Sequence, residues 1–415
     1  MSRRTGLEGT LAAIADAQVA REAKTGDHTA AAGITVLMGL GLCTTVAMGM
    51  LIGSLGVELP TIGRQVGAPL ASLGLIFTAY RLGSLIGAWL AGPRNDRGQA
   101  RPLLLASCAA MAAGFAIFPL MHTLPLAFAA LVLYGTGSGA HLTTTMYLAG
   151  GLRRPALGTG ALQVAFAIGD TAGPLLAGTL LARTGSYTPI SWGLALALLI
   201  ALAAYIRVPA PRGPRRASRA PSPLVVAGRP SSPMDVRLLL LGCLAACYLG
   251  LETSFAGWSY TLAGAAPGAV LVPTAFWAAA AASSLLPGLL GRLPSWAVPV
   301  ASLIGAAALL LLAAGVGGQP GAVACAAVLG ACCGPIFPVV LAWAAAWRPG
   351  SAGRAVGWVA GTAQAGAMAI PALCGLAAAS SPRLALLAQA ATCLLMAILA
   401  VAVMLAPGKR TDVFG

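Results

Sequence analysis

Two stretches of this sequence repeat one another, and together they decide how the chain folds. Residues 160–178 read GALQVAFAIGDTAGPLLAG, and residues 357–375 read GWVAGTAQAGAMAIPALCG. An offset of 197 positions preserves four glycine or proline residues, which pair as Gly160 with Gly357, Gly169 with Gly366, Pro174 with Pro371 and Gly178 with Gly375. The same offset carries Gly137 onto Gly334. Shared spacing of this kind predicts a duplicated chain with two related halves.

The composition places both halves in a membrane. Hydrophobic residues make up 58% of the 415 residues and charged residues only 8%, and the mean hydropathy is +0.87. Soluble domains contain about 45–50% apolar and about 25% charged residues. A chain this poor in charge cannot cover a surface that faces water, so the sequence predicts an integral membrane protein.

Twelve apolar runs are long enough to cross a bilayer, for which a helix needs about 20 apolar residues. They lie near 32–56, 68–92, 102–121, 124–150, 156–182, 188–206, 237–263, 267–291, 296–316, 320–347, 353–378 and 383–406. We therefore expect an all-α membrane protein with twelve transmembrane helices. Its predicted parts are a cytoplasmic segment at 1–31, a six-helix half at 32–207, a basic, proline-rich linker at 208–236, a second six-helix half at 237–407 and a tail at 408–415.

Arginine and lysine predict the orientation, because cytoplasmic loops carry the excess of positive charge. With the N-terminus inside, 21 of the 25 basic residues fall in inner segments and 3 in outer loops, while Arg81 lies inside a helix. We expect a multi-pass protein of the inner (cytoplasmic) membrane with both termini in the cytoplasm. The net charge of +15 does not indicate nucleic-acid binding, because no basic helix interleaved with aromatic residues accompanies it.

The sequence contains no catalytic constellation. It has no Walker loop, no His and Glu at metal-binding spacing and no nucleophile beside a base. The nine cysteines all fall within apolar runs, where cysteine acts as a small hydrophobic residue. We expect a protein that is not an enzyme, that needs no cofactor or metal, and that sits in the lipid bilayer as a monomer.

A short connection after the second apolar run carries the first family resemblance. Residues 92–97 read GPRNDR, and Arg101 and Pro102 follow. With twelve predicted helices and a basic linker between halves, this stretch resembles the loop between helices 2 and 3 of the major facilitator superfamily. The resemblance implies a cytoplasmic gate built from Gly92, Asp96, Arg97 and Arg101. In such a gate a carboxylate pairs with Arg or a helix N-terminus across the halves; the alternative is an ordinary basic loop.

The stretch 160–178 resembles the fifth-helix motif of the same superfamily, known as the antiporter motif. Its members here are Gly160, Gly169, Gly173, Pro174 and Gly178. Glycines at this spacing make a flat helix face for close packing, and a proline bends the helix. Because packing explains every residue of the motif, the motif does not separate an exporter from an importer.

Longer pieces of the chain resemble one branch, that of the fucose permease and the sodium-dependent glucose transporter-like proteins. The pieces are residues 72–83, 165–178, 248–258, 276–277 and 330–338, in order along predicted helices 2, 5, 7, 8 and 10. The resemblance implies a proton- or sodium-coupled carrier of a sugar-like solute. The fourth helix departs from the pattern, since it shows His141 and three threonines instead of an acid and Asn. Gln163 stands where a His is common, which leaves the sugar specificity open.

Three charged residues inside predicted helices are the main candidates for substrate binding or coupling. A charge at a helix centre costs about 2.5–3.5 kcal/mol on insertion scales. Glu252 is a candidate for binding substrate hydroxyls or exchanging a proton, and the alternative is a structural carboxylate. Asp170 and Arg81 both belong to the first half, so they are expected either to pair with each other or to take part in coupling. Glu58, at the outer end of the first helix, is predicted to be an interfacial charge.

Uncharged polar and aromatic side chains complete the predicted site. His141 is a candidate proton relay, and the alternative is a His bonded to a neighbouring helix. Gln163, Trp258, Trp277 and Gln364 are candidate cavity groups, because binding sites combine aromatic surfaces with a few hydrogen-bonding groups.

These observations leave three functions open. The first is an ion-coupled secondary active transporter that moves a small, sugar-like solute by alternating access. The second is a proton-coupled antiporter that exports a drug or metabolite, and the third is a membrane scaffold or sensor that transports nothing.

Overall fold

The computed structural model describes residues 4–150, 152, 155–208, 236–290, 293–348 and 351–406. Within these ranges the chain is helical and contains no β-strand. The α-helices are α1 (Arg4–Val66), α2 (Leu70–Leu73), α3 (Leu75–Asp96), α4 (Ala100–Ile117), α5 (Leu124–Gly150), α6 (Pro155–Thr184), α7 (Thr188–Arg207), α8 (Val236–Leu262), α9 (Leu271–Ser283), α10 (Leu286–Leu290), α11 (Ala297–Ala313), α12 (Gly318–Cys333), α13 (Ile336–Trp347), α14 (Ala352–Ser380) and α15 (Pro382–Leu405). The predicted linker, apart from its two end residues, and the predicted tail lie outside the described residues.

The helices follow the twelve predicted apolar runs, and three runs are broken in two. The second run is divided at Gly74 into α2 and α3, the eighth into α9 and α10, and the tenth at Gly334 and Pro335 into α12 and α13. At the last of these breaks, proline has no backbone N–H to continue the helix. Nine helical stretches of the described chain are long and apolar enough to cross a membrane. The other three predicted spans are not among these nine. They are α5, which is rich in glycine and threonine, and the shorter apolar helices Ala297–Ala313 and Gly268–Ser283.

The first helix is longer than its apolar run predicts. It continues past residue 56 and through Pro60 to Val66, and its apolar span is Thr35–Val66. Glu58 therefore lies two turns before the helix end and is only 2% exposed. Glu58 is therefore packed inside the protein and does not lie on its surface, and its predicted position at the membrane interface stays a prediction.

Close contacts between helices that are lined by glycines, which we call glycine seams, hold each half together. In the first half, Gly49 and Gly53 of α1 face Gly169 and Gly173 of α6, and a Cβ at any of them would collide with backbone of the other helix. Small residues four positions apart let two helix backbones approach closely in lipid. This seam fixes the rotation of α6, and with it the direction of Asp170.

Equivalent seams recur through the molecule. Gly83 and Gly87 of α3 lie against the glycine pair 135 and 139 of α5, and Gly366 of α14 lies against Ala246 of α8. Gly330 of α12 and Gly334, just after its end, lie against α9 and the residue that follows it. Gly334 lies against Ala280 of α9. The corresponding contact in the first half is that of Gly139 with Ser84 of α3, whereas Gly137 packs on α4. By contact, the counterpart of Gly334 is therefore Gly139, so the offset of 197 positions between Gly137 and Gly334 does not hold in the structure.

The two halves touch at one end of the bundle, where α1 ends and α2 begins; we call it the contact end. There Gly56 lies against Ala256 and Gly257, Gly74 against Pro371, and Gly178 against Val270. The apolar core of the first half continues at this end into Trp258, Tyr260 and Cys374 of the second. The opposite end, where α3 finishes at Asp96, is the far end.

Candidate functional site

A hydrogen bond across the two halves marks the candidate site. Nη2 of Arg81, on α3, donates to Oγ1 of Thr253, on α8, over 2.8 Å. Thr253 is 6% exposed, and the guanidinium also lies 5.4 Å from the ring centroid of Tyr80. The one charged side chain that the sequence placed in the second helix is thus bonded to the other half.

Two carboxylates from different halves interact electrostatically with this arginine. Glu252, next to Thr253 on α8, accepts a hydrogen bond of 2.9 Å from the hydroxyl of Tyr248, one turn earlier on the same helix. Asp170, on α6, is 1% exposed, whereas Glu252 is partly exposed. The charges of Arg81, Asp170 and Glu252 lie within Coulombic range of one another. We call Arg81, Asp170 and Glu252 the charged cluster. It contains one cation and two carboxylates, and its members come from both halves.

The structure shows no hydrogen bond between Arg81 and Asp170, whose pairing the sequence offered as one possibility. The guanidinium hydrogen bond goes to Thr253, and Asp170 Oδ1 and Arg81 Nε are both buried without a hydrogen-bond partner among the described residues. Buried polar atoms normally have a partner, so these two atoms are available to a bound solute or water. The sequence placed both residues in one half and so missed the contribution of the second half.

An aromatic surface adjoins the charged cluster. The ring of Tyr248 stacks on Phe337 of α13 with centroids 5.6 Å apart and planes 11° apart. Trp277, on α9, is 8% exposed, and its Nε1 has no hydrogen-bond partner among the described residues. The stacked pair of Tyr248 and Phe337 thus lies beside the carboxylate of Glu252, whereas the ring contact of Trp277 is with Phe276.

Gln364 lies at the depth of Arg81. Oγ1 of Thr78 donates to the carbonyl of Met368 over 2.8 Å, which joins antiparallel α3 and α14. Arg81 is three residues beyond Thr78, and Gln364 is four residues before Met368, so each lies about one turn farther from the contact end. Oε1 of Gln364 is buried without a partner among the described residues.

Two of the candidate residues, the cavity group Trp258 and the proton-relay candidate His141, are buried in contacts away from Arg81. Trp258 is fully buried at the contact end, and its Nε1 donates to the carbonyl of Pro371 over 3.0 Å. His141 is fully buried in the first half, where its Nε2 lies 2.7 Å from Oγ1 of Thr44 and 3.4 Å from the carbonyl of Gly41. The structure thus brings neither residue to the charged cluster, because each is engaged by a neighbouring helix of its own half.

Gln163 is exposed and lies seven residues before Asp170 on α6. Residues seven apart share a helix face, so Gln163 extends the face of Asp170 toward the far end. Of the predicted packing motif, Gly169 and Gly173 face α1, and Gly178 faces Val270 of the other half. A Cβ at Gly160 would meet no described atom within 4 Å, so this glycine does not take part in close packing in the present conformation.

The predicted gate residues lie at the far end, and the described side-chain bond among them, that of Arg101, stays within the first half. Nη2 of Arg101 donates to the carbonyl of Ile206 on α7 over 2.7 Å, while Asp96 and Arg97 are exposed. Their neighbour Asn95, which the sequence did not single out, is 2% exposed and donates to Thr144 of α5. The described residues show no bond from this loop to the second half.

The structure also adds residues that the sequence did not select. Thr253, Tyr248, Thr78 and Phe337 all contact the site or join its helices. Helical spacing identifies Tyr248, because it lies four residues before Glu252 on one face. No sequence signal identifies Thr253 or Thr78, since their partners belong to the other half.

Comparison with known proteins assigns the class. The family model of the Major Facilitator Superfamily matches residues 41–318, and the chain belongs to this superfamily of membrane transporters. The predicted superfamily, the all-α membrane fold and a transporter class in place of an enzyme are thereby confirmed, whereas the predicted fucose permease-like branch stays a prediction. A search of curated proteins finds none that matches the sequence.

One solved structure shows the fold in full. The crystal structure of a point mutant of the nucleoside transporter NupG aligns with a TM-score of 0.70 and 12% sequence identity. The alignment covers 89% of this chain and 99% of that chain. The likeness extends over both six-helix halves.

Proposed function

We propose that the protein moves a small, sugar-like polar solute across the inner membrane by alternating access, coupled to a proton. The observation that supports this most directly is the cluster of Arg81, Asp170 and Glu252 at the interface between halves. A carboxylate at this position can bind solute hydroxyls and can also change charge when it is protonated. Because the cluster draws on both halves, a change in its charge acts on their relative position.

The aromatic surface supports a ring-bearing substrate. Tyr248 and Phe337 form a stacked pair beside Glu252, and Gln364, at the depth of Arg81, supplies an unpartnered acceptor, Oε1. Binding sites for small solutes combine apolar surfaces with a few such polar groups. A hexose fits this chemistry, and so does a nucleoside, the class carried by the structural neighbour NupG.

The distribution of contacts supports a conformation open toward the cytoplasm. The close approaches named above join the halves at the contact end, and the Asp96 loop makes no described bond to the second half. With both termini in the cytoplasm, as the basic residues predict, the contact end is the outer end. Solute and proton then reach the site from the far, cytoplasmic end.

The test is uptake by proteoliposomes under an imposed pH gradient, with labelled hexoses, ribonucleosides and a lipophilic cation as substrates. We expect accumulation of a hexose or ribonucleoside that collapses with the pH gradient and is lost in Arg81→Gln. A sodium gradient that drives uptake in place of the pH gradient would assign sodium as the coupling ion. Glu58→Gln is the matched control, because it removes a buried carboxylate outside the cluster.

Proton-coupled export of a drug or metabolite is the second candidate function. It is favoured by the excess of one carboxylate over the single arginine beside an aromatic surface, which together suit an apolar cation. Everted vesicles distinguish the two directions. Accumulation of the lipophilic cation, driven by a pH gradient in those vesicles, would establish export and exclude the sugar importer.

A further inference from the structure

A second group of polar side chains is buried inside the first half, near the far end. His141, on α5, is fully buried, and its Nε2 lies 2.7 Å from Oγ1 of Thr44 on α1. Asn95, the residue before Asp96 at the end of α3, is 2% exposed and donates through Nδ2 to Oγ1 of Thr144 on α5 over 3.3 Å. The group therefore reaches from α1 to α3, with α5 between them.

Helix α7 adds a tyrosine to this group. Tyr205 is fully buried, and its hydroxyl oxygen lies 3.8 Å from the point where a Cβ at Gly41 of α1 would stand. The carbonyl oxygen of Gly41 is in turn 3.4 Å from Nε2 of His141. The side chain of Thr145, one turn after His141, lies against Gly41 as well. Four helices thus bring polar side chains to one place inside the first half.

Three polar atoms of this group have no hydrogen-bond partner among the described residues. They are Nδ1 of His141, Oδ1 of Asn95 and the hydroxyl of Tyr205. His141 and Thr144 are three positions apart on α5, so they share a helix face with their Cβ atoms about 5–6 Å apart. Because Asn95 is bonded to Thr144, its Oδ1 lies within about one helical turn of the imidazole. Buried polar atoms in proteins normally have a partner.

The protein does not supply enough donors for these atoms. The hydroxyl of Thr44 donates to backbone carbonyls of its own helix, so Nε2 of His141 is the donor in their shared bond. Nδ1 of an uncharged imidazole is then an acceptor, and Oδ1 of Asn95 is an acceptor as well. Tyr205 has a single O–H, which can serve one of the two acceptors at most. A donor from outside the protein is therefore needed.

We infer that the first half encloses an internal water site between α1, α3, α5 and α7. Ordered water there donates to Nδ1 of His141 and Oδ1 of Asn95 and accepts from the hydroxyl of Tyr205. Water suits these atoms because buried waters typically make about three hydrogen bonds to otherwise unpaired polar groups. The site joins the end of α3, which carries the predicted gate residue Asp96, to α1 through the bond between His141 and Thr44. This inference concerns the first half alone, so it does not depend on the proposed transport.

X-ray radiolytic labelling of the purified full-length protein in lipid nanodiscs tests the site. X-rays split bound water into hydroxyl radicals, which add oxygen to the side chains beside it, and mass spectrometry locates the product. We expect labelling of Tyr205 and His141, although neither side chain is exposed. Trp258 is the internal control and should stay unlabelled, because it is an equally buried, oxidisable side chain whose Nε1 is bonded to a backbone carbonyl.

A pair of variants tests the role of the asparagine. Asn95→Leu removes one acceptor and makes that side of the site apolar, so the label at Tyr205 should fall to the level of Trp258. Gln389→Leu is the matched control. Gln389 is a buried amide of the second half that donates to Ser254, so its replacement should leave the label at Tyr205 unchanged.

Three outcomes overturn the inference. The first is a parent protein in which Tyr205 or His141 stays unlabelled. The second is equal labelling of Trp258, which would show that radicals reach dry parts of the core. The third is an undiminished label at Tyr205 in Asn95→Leu. The parent measurement alone decides the question if Asn95→Leu does not fold.

Discussion

Thr78 of α3 donates a 2.8 Å hydrogen bond to the backbone carbonyl of Met368 on α14, one turn from the bond between Arg81 and Thr253. Both bonds run from α3 to the second half, so α3 carries polar contacts that hold the halves in the observed conformation. A transporter that alternates between two conformations must break such bonds in each cycle.

Replacing Thr78 by Val should shift the equilibrium away from the conformation seen here. A hydrogen bond contributes about 0.5–1.5 kcal/mol net, so the shift should be about two- to tenfold. Electron–electron distance measurements between spin labels, attached through non-natural amino acids at the exposed residues Thr123 and Ser380, would report it. The control is Thr392→Val, because the Thr392 hydroxyl bonds only within its own helix. Equal distance distributions for both variants would contradict the prediction.

Gly169→Ala should destabilise the folded protein by about 1–3 kcal/mol, the cost of overpacking a close contact. Its Cβ would collide with the carbonyl of Val46 in the seam between α1 and α6. Gly160→Ala is the matched control on the same helix, since a Cβ there meets no described atom within 4 Å. Alanine is also the better helix former by about 1 kcal/mol. Thermal unfolding of the purified proteins should rank Gly160→Ala at or above the parent and Gly169→Ala well below it.

Asp96→Ala should abolish transport while the protein stays folded and reaches the membrane in normal amounts. Asp96 is exposed and makes no bond to the second half in this conformation, so its loss should not change thermal stability. We expect its partner to form only when the cytoplasmic end closes. Uptake assays and the unfolding temperature, measured together, separate these effects. Full transport activity of Asp96→Ala would contradict the gate and would show that the loop is an ordinary basic loop that sets the orientation in the membrane.

Glu252→Gln should keep solute exchange but lose accumulation against a gradient. Glutamine preserves the shape and the hydrogen bonding to Tyr248 but cannot change its charge. Counterflow exchange should remain and should no longer depend on pH, while uptake driven by a pH gradient should fall to background. Tyr248→Phe removes the hydrogen-bond donor and keeps the carboxylate, so it should remain coupled. Parental accumulation in Glu252→Gln would move this residue to a structural role.

Reporter fusions test the orientation. A reporter after Arg219 should be cytoplasmic and one near Ala266 external, because the basic segments predict the first on the inner side. The two sites lie before and after α8, which crosses the bilayer once. Exchanged positions of the two reporters would contradict both the orientation and the assignment of the contact end as the outer end.

Much of the fold is predictable because it depends on composition and length. The twelve helices follow apolar runs, and the repeat between 160–178 and 357–375 predicts matching helices α6 and α14. The breaks at Gly74 and at Pro335 within apolar runs were not predicted, since apolarity continues through them. The buried position of Glu58 was missed for the same reason.

The candidate site was predictable only in its charged members. Glu252, Asp170 and Arg81 are conspicuous because a charge in an apolar run is costly. His141 and Trp258 carry the same kind of polar signal, yet the structure buries both of them away from the cluster. A sequence shows that a residue is polar but does not show which helix it faces.

The sequence by itself determined that this protein lies in a membrane, spans it with twelve helices and consists of two related halves joined by a basic linker. Apolar length, glycine spacing and arginine position carry that information along the chain. Only the tertiary structure decided that Arg81 meets Thr253 and that Thr78 meets Met368 of the other half. Helical periodicity fixes a residue's face relative to its own helix alone, whereas glycine seams such as that of Gly49 and Gly169 set how each helix is rotated against its neighbours.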